Sequence, residues 1–417
     1  MSSECRGILQ NQPSEMQGAS RAALLKRHMS STPIKILFLI DYFHRTGGTE
    51  QHLSQLIAGL PAGEFHSTVV AFDMGGNPLL QCLRERGVSV VHLPVAREYV
   101  PNALVQGWRL ARLVRRNHYD VVQTYHQKAD TFGALIVWLA GARYLVSSKR
   151  DTGDLRKPLH QFLNRHLQGL FEAFIMVSTR VREAVVTRDQ LPVGRVITIY
   201  NGVDTSRFVP SSPEQKRVAR ERLGLDAEDR VVGVVAAFRR EKNHDVFFDG
   251  VARARRAVPR LRVLAVGGGE LLDQFKRQIG DSSLGDCTQF VGDVADVRPF
   301  LDAMDIGCLT PGANEGFSNA VLEQMAAGLP MIVTDIGGNA EAVVNGENGI
   351  VIGPNDPVAL GDALVRMFSD PARRAEWGQA SRRRAEQYFS LARMCSEHAR
   401  LYRTLVRPGK PRPEALG

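Results

Sequence analysis

The sequence contains no apolar run long enough to cross a membrane. Its longest apolar stretch covers about ten residues, from Gly133 to Ala142, whereas a spanning helix needs about 20. Residues 1–33 lack the apolar core of a secretion signal, so we expect a disordered N-terminal extension, with Met29 as an alternative start. These absences favour a cytoplasmic protein that meets a membrane only at its surface.

Cysteine and aromatic residues are also scarce. Five cysteines are scattered along 417 residues, without a Cys-x-x-Cys pair and without a Cys/His cluster at metal-ligand spacing. This pattern predicts neither a disulfide framework nor a structural zinc site, and it favours a reducing compartment. Aromatic residues make up 7% of the chain, and no nucleic-acid-binding module is recognisable, so the charge alone does not predict a nucleic-acid-binding protein.

Positive charge, in contrast, is abundant. The net charge is +9, and much of the arginine lies in three blocks: Arg109, Arg112, Arg115 and Arg116; Arg253, Arg255 and Arg256; and Arg382, Arg383 and Arg384. Such blocks fit anionic partners such as phosphorylated substrates or acidic lipid, but solvated helix faces have the same composition.

Short β-branched runs alternate with helical patterns along the chain, which is typical of a doubly wound α/β fold. In the first half, the apolar run Ile34–Ile40 predicts a buried parallel strand and Thr49–Leu60 a helix. Further strands are predicted at Thr68–Phe72, Val88–Leu93, Asp120–Thr124, Tyr144–Ser147, Phe174–Val177 and Val196–Tyr200.

The pattern starts again after the polar segment Ser206–Asp229. Strands are predicted there at Val231–Ala236, Leu261–Val266, Gln289–Gly292, Ile306–Thr310 and Pro330–Thr334, and Arg373–Arg407 has a basic helical pattern. The sequence thus predicts two Rossmann-like domains that face each other across a cleft. They cover 34–203 and 204–390, and residues 391–417 form a helix that packs back on the first domain, followed by a tail.

Two features of the first domain lie at the carboxyl ends of strands, where open α/β sheets bind ligands. Gly47-Gly48-Thr49-Glu50 joins the first strand to the first helix; it suits an anion at a helix N-terminus, although a plain tight turn has the same pattern. His126 follows the strand that ends at Thr124. It is placed to accept a proton or to bond a substrate hydroxyl, or it serves only the fold.

The second domain has a cationic loop and a glycine run in equivalent places. Arg239, Arg240 and Lys242 follow its first strand and suit a diphosphate, and a solvated loop is the alternative. Gly267-Gly268-Gly269-Glu270 follows the strand Leu261–Val266. Its glycines allow a base or a phosphate close to the backbone, or only a flexible turn.

The most informative segment is Glu315-Gly316-Phe317-Ser318-Asn319-Ala320-Val321-Leu322-Glu323. Ser318 predicts the N-cap of a helix that runs to about Ala327. The N–H groups at that helix start can hold a diphosphate with the help of the helix dipole. Glu323, in the second turn, can accept hydrogen bonds from both hydroxyls of a ribose. The alternative is that Glu315 and Glu323 are only a pair of surface carboxylates.

At these residues the chain resembles the large family of retaining GT-B glycosyltransferases known as family four. The resemblance covers about residues 34–405, and seven segments keep the order and spacing of the family. They are GGTE at 47–50, VVQTYH at 121–126, MVS at 176–178, NGVD at 201–204, REKNH at 240–244, EGFSNAVLE at 315–323 and GGNAE at 337–341.

The resemblance implies a role for each matching residue. Glu315 and Glu323 match the paired glutamates, of which the first approaches the hydroxyls of the donor sugar and the second binds the ribose. Lys242 matches the lysine on the diphosphate, and His126 the histidine near the reacting sugar. The predicted donor site is completed by backbone and loop residues: Gly47, Gly48, Arg239, Arg240, Gly268, Gly316, Phe317, Ser318 and Asn319.

One position departs from the family pattern. The family usually has an arginine five residues before the lysine, as a second ligand of the diphosphate, and this chain has Ala237 there. We expect Arg239 or Arg240, in the same loop, to replace it. If neither reaches the donor, donor affinity or catalysis is reduced.

The resemblance implies retaining transfer of a hexose from a UDP- or GDP-sugar to a glycan or lipid-linked acceptor. No Asp-x-Asp motif is visible, so we expect no metal and no cofactor. Three alternatives stay open: a donor-binding subunit without catalysis, which only Ala237 favours; an epimerase with the same two-domain plan; and a nucleic-acid-binding protein, suggested by charge alone.

Contact with the inner face of an anionic membrane is a further expectation. Trp108–His118 has the pattern of a basic, partly amphipathic helix. A second basic stretch runs from Lys149 through Arg156 and Lys157 to Arg165. An ordinary helix packed on the sheet, with a solvated arginine face, is the alternative.

Overall fold

The structure is a computed structural model that describes residues 32–44, 47–96, 101–153 and 158–406. Most of the predicted N-terminal extension and the predicted tail after residue 406 lie outside these ranges. Within them the chain forms two parallel β-sheets with helices on their faces, so the predicted fold of two doubly wound α/β domains is confirmed.

The first sheet has seven parallel strands in the order β3-β2-β1-β4-β5-β6-β7. The strands are β1 Ile34–Phe43, β2 Phe65–Met74, β3 Ser89–His92, β4 Val121–Tyr125, β5 Tyr144–Lys149, β6 Ala173–Met176 and β7 Val196–Thr198. The helices between them are α1 Gly48–Gly59, α2 Pro78–Glu85, α3 Pro101–Asn117, α4 Ala134–Leu139, α5 Pro158–Leu167 and α6 Thr179–Asp189. The strand order reverses between β1 and β4, and that switch point is where such sheets bind ligands.

The second sheet has six parallel strands in the order β10-β9-β8-β11-β12-β13. They are β8 Arg230–Val235, β9 Leu261–Val266, β10 Thr288–Gly292, β11 Ile306–Leu309, β12 Met331–Thr334 and β13 Gly349–Ile352. The helices are α7 Pro213–Arg222, α8 His244–Arg255, α9 Leu272–Gly280, α10 Arg298–Ala303, α11 Asn319–Ala326, α12 Asn339–Ala342, α13 Pro357–Ser369 and α14 Pro371–Tyr388. The strand β13 was not expected from the sequence.

The basic helical pattern of Arg373–Arg407 corresponds to two helices. After α14, the chain turns at Phe389 and Ser390 and continues as α15 Leu391–Val406. Val203 exchanges backbone hydrogen bonds with Phe389 (2.8 Å) and Leu391 (2.9 Å) at this turn. These bonds take the place of continuous helical pairing, which explains the break.

The helix α15 packs on the first sheet although it follows the second in sequence. Met394, Cys395 and Tyr402 are buried in the same apolar cluster as β1 and α1. The Tyr402 hydroxyl donates to Gln123 Oε1 at 2.6 Å, so a buried hydrogen bond adds to the apolar contact. The junction is tight, because a Cβ at Gly202 would lie 2.6 Å from Leu391 Cα.

Two arginines of the third block, Arg382 and Arg384, do not form a solvated face, whereas Arg383 between them is exposed. Arg382 donates to the carbonyl oxygens of Thr205 (2.9 Å), Ala326 (2.8 Å) and Phe208, and thereby fixes α14 to the segment that links the domains. Arg384 donates to the carbonyl oxygens of residues 341 and 342. These arginines bind the protein's own backbone and are not available as a surface for anionic partners.

Candidate active site

The carboxyl ends of the two sheets face each other and are joined by hydrogen bonds. Asn319 Nδ2 donates to the carbonyl oxygen of Gly48 at 3.2 Å. Gln51 Nε2, on α1, donates to Glu323 Oε1, on α11, at 3.0 Å. The glycine turn of the first domain and the acidic segment of the second are therefore the two walls of one cleft.

A lysine and a glutamate predicted to bind the donor form an ion pair in this cleft. Lys242 Nζ lies 2.5 Å from Glu315 Oε2, and the two side chains are 23% and 11% exposed. Lys242 ends a short 3-10 turn after β8, and Glu315 lies in the loop after β11. Because β8 and β11 are neighbours in the sheet, their carboxyl ends bring the two residues together.

Close packing explains the glycines around Glu315. A Cβ at Gly316 would clash with the carbonyl oxygen of Arg150, and a Cβ at Gly337 with that of Glu315. Gly337 also has a φ of +57°, a conformation that glycine adopts without strain. The segment 315–319 is thus pressed between the second sheet and the wall of the first domain.

The helix α11 begins where the sequence predicts, although its cap differs. Ser318 is the N-cap residue, but its side chain makes no capping hydrogen bond. The amino end of α11 and its positive partial charge border the cleft through Asn319, which contacts Gly48. The start of the helix therefore lies next to the Lys242–Glu315 pair, and its N–H groups are not capped by the Ser318 side chain.

Glu323 is half-buried, and its only described carboxylate partner is Gln51. Burial raises the pKa of Glu323 to about 7, while the Gln51 hydrogen bond and the charge of Arg207 oppose that rise. The carboxylate is therefore poised between its neutral and charged forms near neutral pH.

His126 stands on a strained turn at the end of β4. Its φ is +71°, which is uncommon for a residue with a side chain, and its ring lies 5.7 Å from that of Tyr42. The buried Asp41 accepts the backbone N–H groups of Lys128 and Ala129, each at 2.7 Å. Burial raises the pKa of Asp41 to about 7, and the two bonds fix the backbone just after His126.

The remaining predicted residues are placed in different ways. Gly47 is the N-cap of α1, Phe317 is buried, and Arg239 and Arg240 are exposed. Burial raises the pKa of Glu50, while the backbone N–H groups of Glu50 and Gly47 and the charges of Arg239 and Arg150 oppose that rise. The N–H of Gly268 donates to Asp293 Oδ1 at 2.8 Å, so this N–H already has a partner within the second domain.

Sequence reasoning missed Arg150, which follows β5 in the first domain. Its Nη2 donates to Asn201 Oδ1 at 2.5 Å, and Asn201 Nδ2 donates to the Phe317 carbonyl oxygen (2.7 Å) and to Asn319 Oδ1 (2.8 Å). Arg150 Nη1 is buried and has no hydrogen-bond partner among the described residues. Burial lowers the pKa of Arg150 to about 10. A cation directly after a strand was the available signal, and Asn201 lay within the NGVD segment without an assigned role.

The described residues contain no group of three or more His, Cys, Asp and Glu side chains placed to hold a metal ion. None of the helices in those same ranges combines the length and the apolarity needed to cross a membrane.

Comparison with known proteins matches both halves of the chain to families. Residues 215–384 match the family described as Glycosyl transferases group 1, and residues 46–207 match Glycosyltransferase Family 4. The lipopolysaccharide core biosynthesis mannosyltransferase LpsB of Rhizobium meliloti (strain 1021) is 30% identical over 216 residues, which are 50% of this chain and 61% of that protein. The chain thus spans less than two thirds of that relative.

Other relatives are covered over most of their length. The GDP-mannose-dependent alpha-(1-6)-phosphatidylinositol monomannoside mannosyltransferase of Mycolicibacterium smegmatis is 26% identical over 359 residues, or 83% of this chain and 92% of that protein. Among solved structures, Anabaena Alr3699/HepE in complex with UDP superposes with a TM-score of 0.78 at 22% identity, over 88% of this chain and 99% of that one. The structural likeness shows a shared fold.

Proposed function

Because this chain belongs to the group 1 glycosyltransferases of the GT-B fold, we propose that it is a retaining, metal-independent hexosyltransferase. The donor is a UDP- or GDP-sugar, and the acceptor is a glycan or a lipid-linked sugar. The relatives named above include enzymes of lipopolysaccharide and glycolipid synthesis, which supports this class of acceptor. The observation that carries the proposal is the Lys242–Glu315 ion pair beside the start of α11.

Lys242 and Glu315 each have a separate role when a donor binds. Departure of the nucleoside diphosphate develops negative charge, which Lys242 and the N–H groups at the start of α11 stabilise. Once Glu315 is released from Lys242, its carboxylate accepts hydrogen bonds from hydroxyls of the donor sugar. The acceptor hydroxyl attacks on the face that the leaving group vacates and passes its proton to the departing phosphate, which retains the anomeric configuration.

Glu323 binds the ribose hydroxyls in place of Gln51, which occupies its carboxylate in the structure. His126 lies near the reacting sugar, and the backbone of the glycine turn at Gly47 and Gly48 approaches the donor phosphate. Gly268, Gly316, Phe317, Ser318 and Asn319 present their backbone to the donor.

Three cations are candidates for the role that Ala237 cannot fill. Arg239 and Arg240 are exposed in the loop of Lys242. Arg150 faces segment 315–319 from the other domain, and its buried Nη1 has no hydrogen-bond partner within the described part of the chain. An unpaired buried donor is costly unless a ligand completes it, so Arg150 is the cation that we expect to meet the diphosphate or the sugar hydroxyls.

The test is incubation with a panel of UDP- and GDP-hexoses and lipid or glycan acceptors, with and without EDTA. We expect release of one nucleoside diphosphate, a product with the anomeric configuration of the donor, and full activity in EDTA. An inverted linkage, or activity lost in EDTA and restored by a divalent ion, would contradict the proposal. Tight nucleotide binding without transfer to any acceptor would instead support the second candidate, a non-catalytic donor-binding subunit, which the alanine at position 237 favours.

A further inference from the structure

The first domain exposes an unusual set of large apolar side chains on two neighbouring helices. Leu104 (77% exposed) and Trp108 (61%) lie one turn apart on α3, and Trp138 (49%) and Leu139 (59%) lie on α4. Val105 and Leu135 extend the same surface. Side chains of this size are normally buried, so their grouping marks a surface with a partner.

The two helices lie side by side on the same face of the first sheet. Gly107 of α3 faces Phe132 and Ile136, and a Cβ at Gly107 would lie 3.3 Å from each of them. Residues of both helices share one apolar cluster beneath them, including Leu110 and Val137. The exposed residues therefore lie on two helices in direct contact, and we name their combined surface the α3–α4 patch.

The rim of the α3–α4 patch is cationic. Arg109, Arg112, Arg115 and Arg116 are all exposed on α3, and the helix has no acidic residue. The Arg112 guanidinium lies 5.5 Å from the centre of the Trp108 ring. Arginine beside tryptophan on a helix surface is the composition of segments that lie in the headgroup region of a bilayer.

The second basic stretch predicted from the sequence does not add to this surface. Lys149 is buried and forms an ion pair with the buried Asp130 at 2.6 Å. Arg165 donates to the carbonyl oxygen of Arg188. Arg156 and Lys157 lie outside the described residues. The membrane surface predicted there is therefore wrong for Lys149, and the other predicted segment, Trp108–His118, lies almost wholly on α3.

We propose that the α3–α4 patch docks this protein on an anionic lipid surface, with Trp108 and Trp138 in the headgroup layer and the four arginines on lipid phosphates. The charge favours lipid over a second copy of the chain, because a two-fold contact through this patch would bring eight arginines together. A cluster of four arginines beside an anionic leaflet suffices for reversible attachment before any tryptophan inserts. The proposal does not depend on the donor or on catalysis.

The experiment is co-sedimentation of the full chain with phosphatidylcholine vesicles and with vesicles that also contain phosphatidylglycerol, at low and high salt. We expect binding to the anionic vesicles that salt weakens. Arg112→Glu with Arg116→Glu should reduce vesicle partitioning about tenfold or more, and Trp108→Ser with Leu104→Ser should also weaken it. Arg373→Glu with Val358→Ser, which alters exposed residues of the second domain, should bind like the natural chain.

Tryptophan fluorescence gives a second readout, because two of the three tryptophans lie in the patch and Trp377 is buried. A blue shift on anionic vesicles that Trp108→Phe diminishes supports insertion. Equal binding to neutral and anionic vesicles, no binding to either, or patch variants that bind like the control would overturn the proposal. The proposal would also be overturned if the chain bound no vesicles but formed a dimer that Trp108→Ser dissociates.

Discussion

The two walls of the cleft are assembled from the chain in different ways. In the second domain, Glu315 and Glu323 lie within nine consecutive residues, while Lys242 and Gly268 come from two other loops. In the first domain, Asp41, His126 and Arg150 come from the ends of three separate strands, β1, β4 and β5. The second wall is a local motif at a helix N-terminus, whereas the first exists only once the sheet has formed.

The difference extends to how each wall is held. The second wall is fixed by backbone packing, since Gly316 and Gly337 permit contacts that a Cβ would block. The first wall is fixed by buried polar side chains. Asp41 accepts hydrogen bonds from two backbone N–H groups, and Lys149 forms an ion pair with Asp130. Substitutions in the first wall should therefore disturb stability as well as binding, and those in the second mainly binding and catalysis.

The largest effect is expected from Lys242→Ala in the second wall. Loss of the cation that stabilises the leaving diphosphate should reduce kcat about 100- to 1000-fold, as for removal of a preorganised charge-stabilising group. Steady-state kinetics with a saturating donor measure it. Lys276→Ala, an exposed lysine on α9, is the matched control and should leave kcat unchanged. An equal kcat in the two variants would remove Lys242 from the mechanism.

A smaller but substantial loss is expected from Arg150→Met in the first wall. If Nη1 binds the donor, its removal should lower kcat/KM about 10- to 100-fold, because a hydrogen bond to a charged group contributes about 1.5–3 kcal/mol. Arg143→Met, an exposed residue just before β5, is the control.

Binding separates this role from a structural one. Nucleotide affinity measured below the melting temperature of each variant should fall with Arg150→Met and recover in part with Arg150→Lys. Unchanged nucleotide affinity together with a lowered melting temperature would limit Arg150 to holding Asn201.

The third prediction concerns pH. The raised pKa of Glu323, about 7, means that the charged form prevails only above that pH, and the charged form is the stronger acceptor for ribose hydroxyls. Nucleoside diphosphate affinity should therefore fall as the pH drops through about 7, by up to about tenfold per pH unit. Glu323→Gln should bind weakly with little of this dependence, which separates it from titration of the nucleotide. An identical pH profile in the variant would contradict the assignment.

The smallest effect is expected from Gln51→Leu, which removes the hydrogen bond from the first wall to Glu323. That bond lowers the pKa of Glu323, so its loss should move the midpoint of the binding profile to higher pH. Affinity well above the midpoint should change less than about tenfold, since one hydrogen bond contributes about 0.5–1.5 kcal/mol net. A midpoint that moves to lower pH would contradict this coupling.

The sequence predicted most strands because parallel strands are buried on both faces and read as continuous apolar runs. The run Leu261–Val266 matches β9 at both ends, and the other predicted strands overlap the observed ones. One strand escaped this reasoning, because the edge strand β13 has only four residues. The sequence placed a boundary after residue 390, but the backbone bonds to Val203 at that point could not be foreseen, because Val203 is distant in sequence.

Some residues of the candidate site could be predicted from the sequence and others could not. The N-cap position of Ser318 follows from spacing that can be read directly. The resemblance assigned Lys242 and Glu315 to one donor site, but their ion pair was not predicted. Arg150 and Asp41 could not be selected in this way, because their significance depends on burial and on partners from other strands. The roles assigned to His126, Gly268 and Arg240 stay predictions.

The most direct test of the donor site is titration calorimetry of UDP and of GDP with the natural chain and with Glu323→Ala. We expect one of the two nucleotides to bind the natural chain in the cleft. We also expect Glu323→Ala to stay folded and to bind that nucleotide about 5- to 150-fold more weakly, the equivalent of about 1–3 kcal/mol of lost hydrogen bonding. Equal affinities in the two proteins, or no binding of either nucleotide to the natural chain, would contradict it.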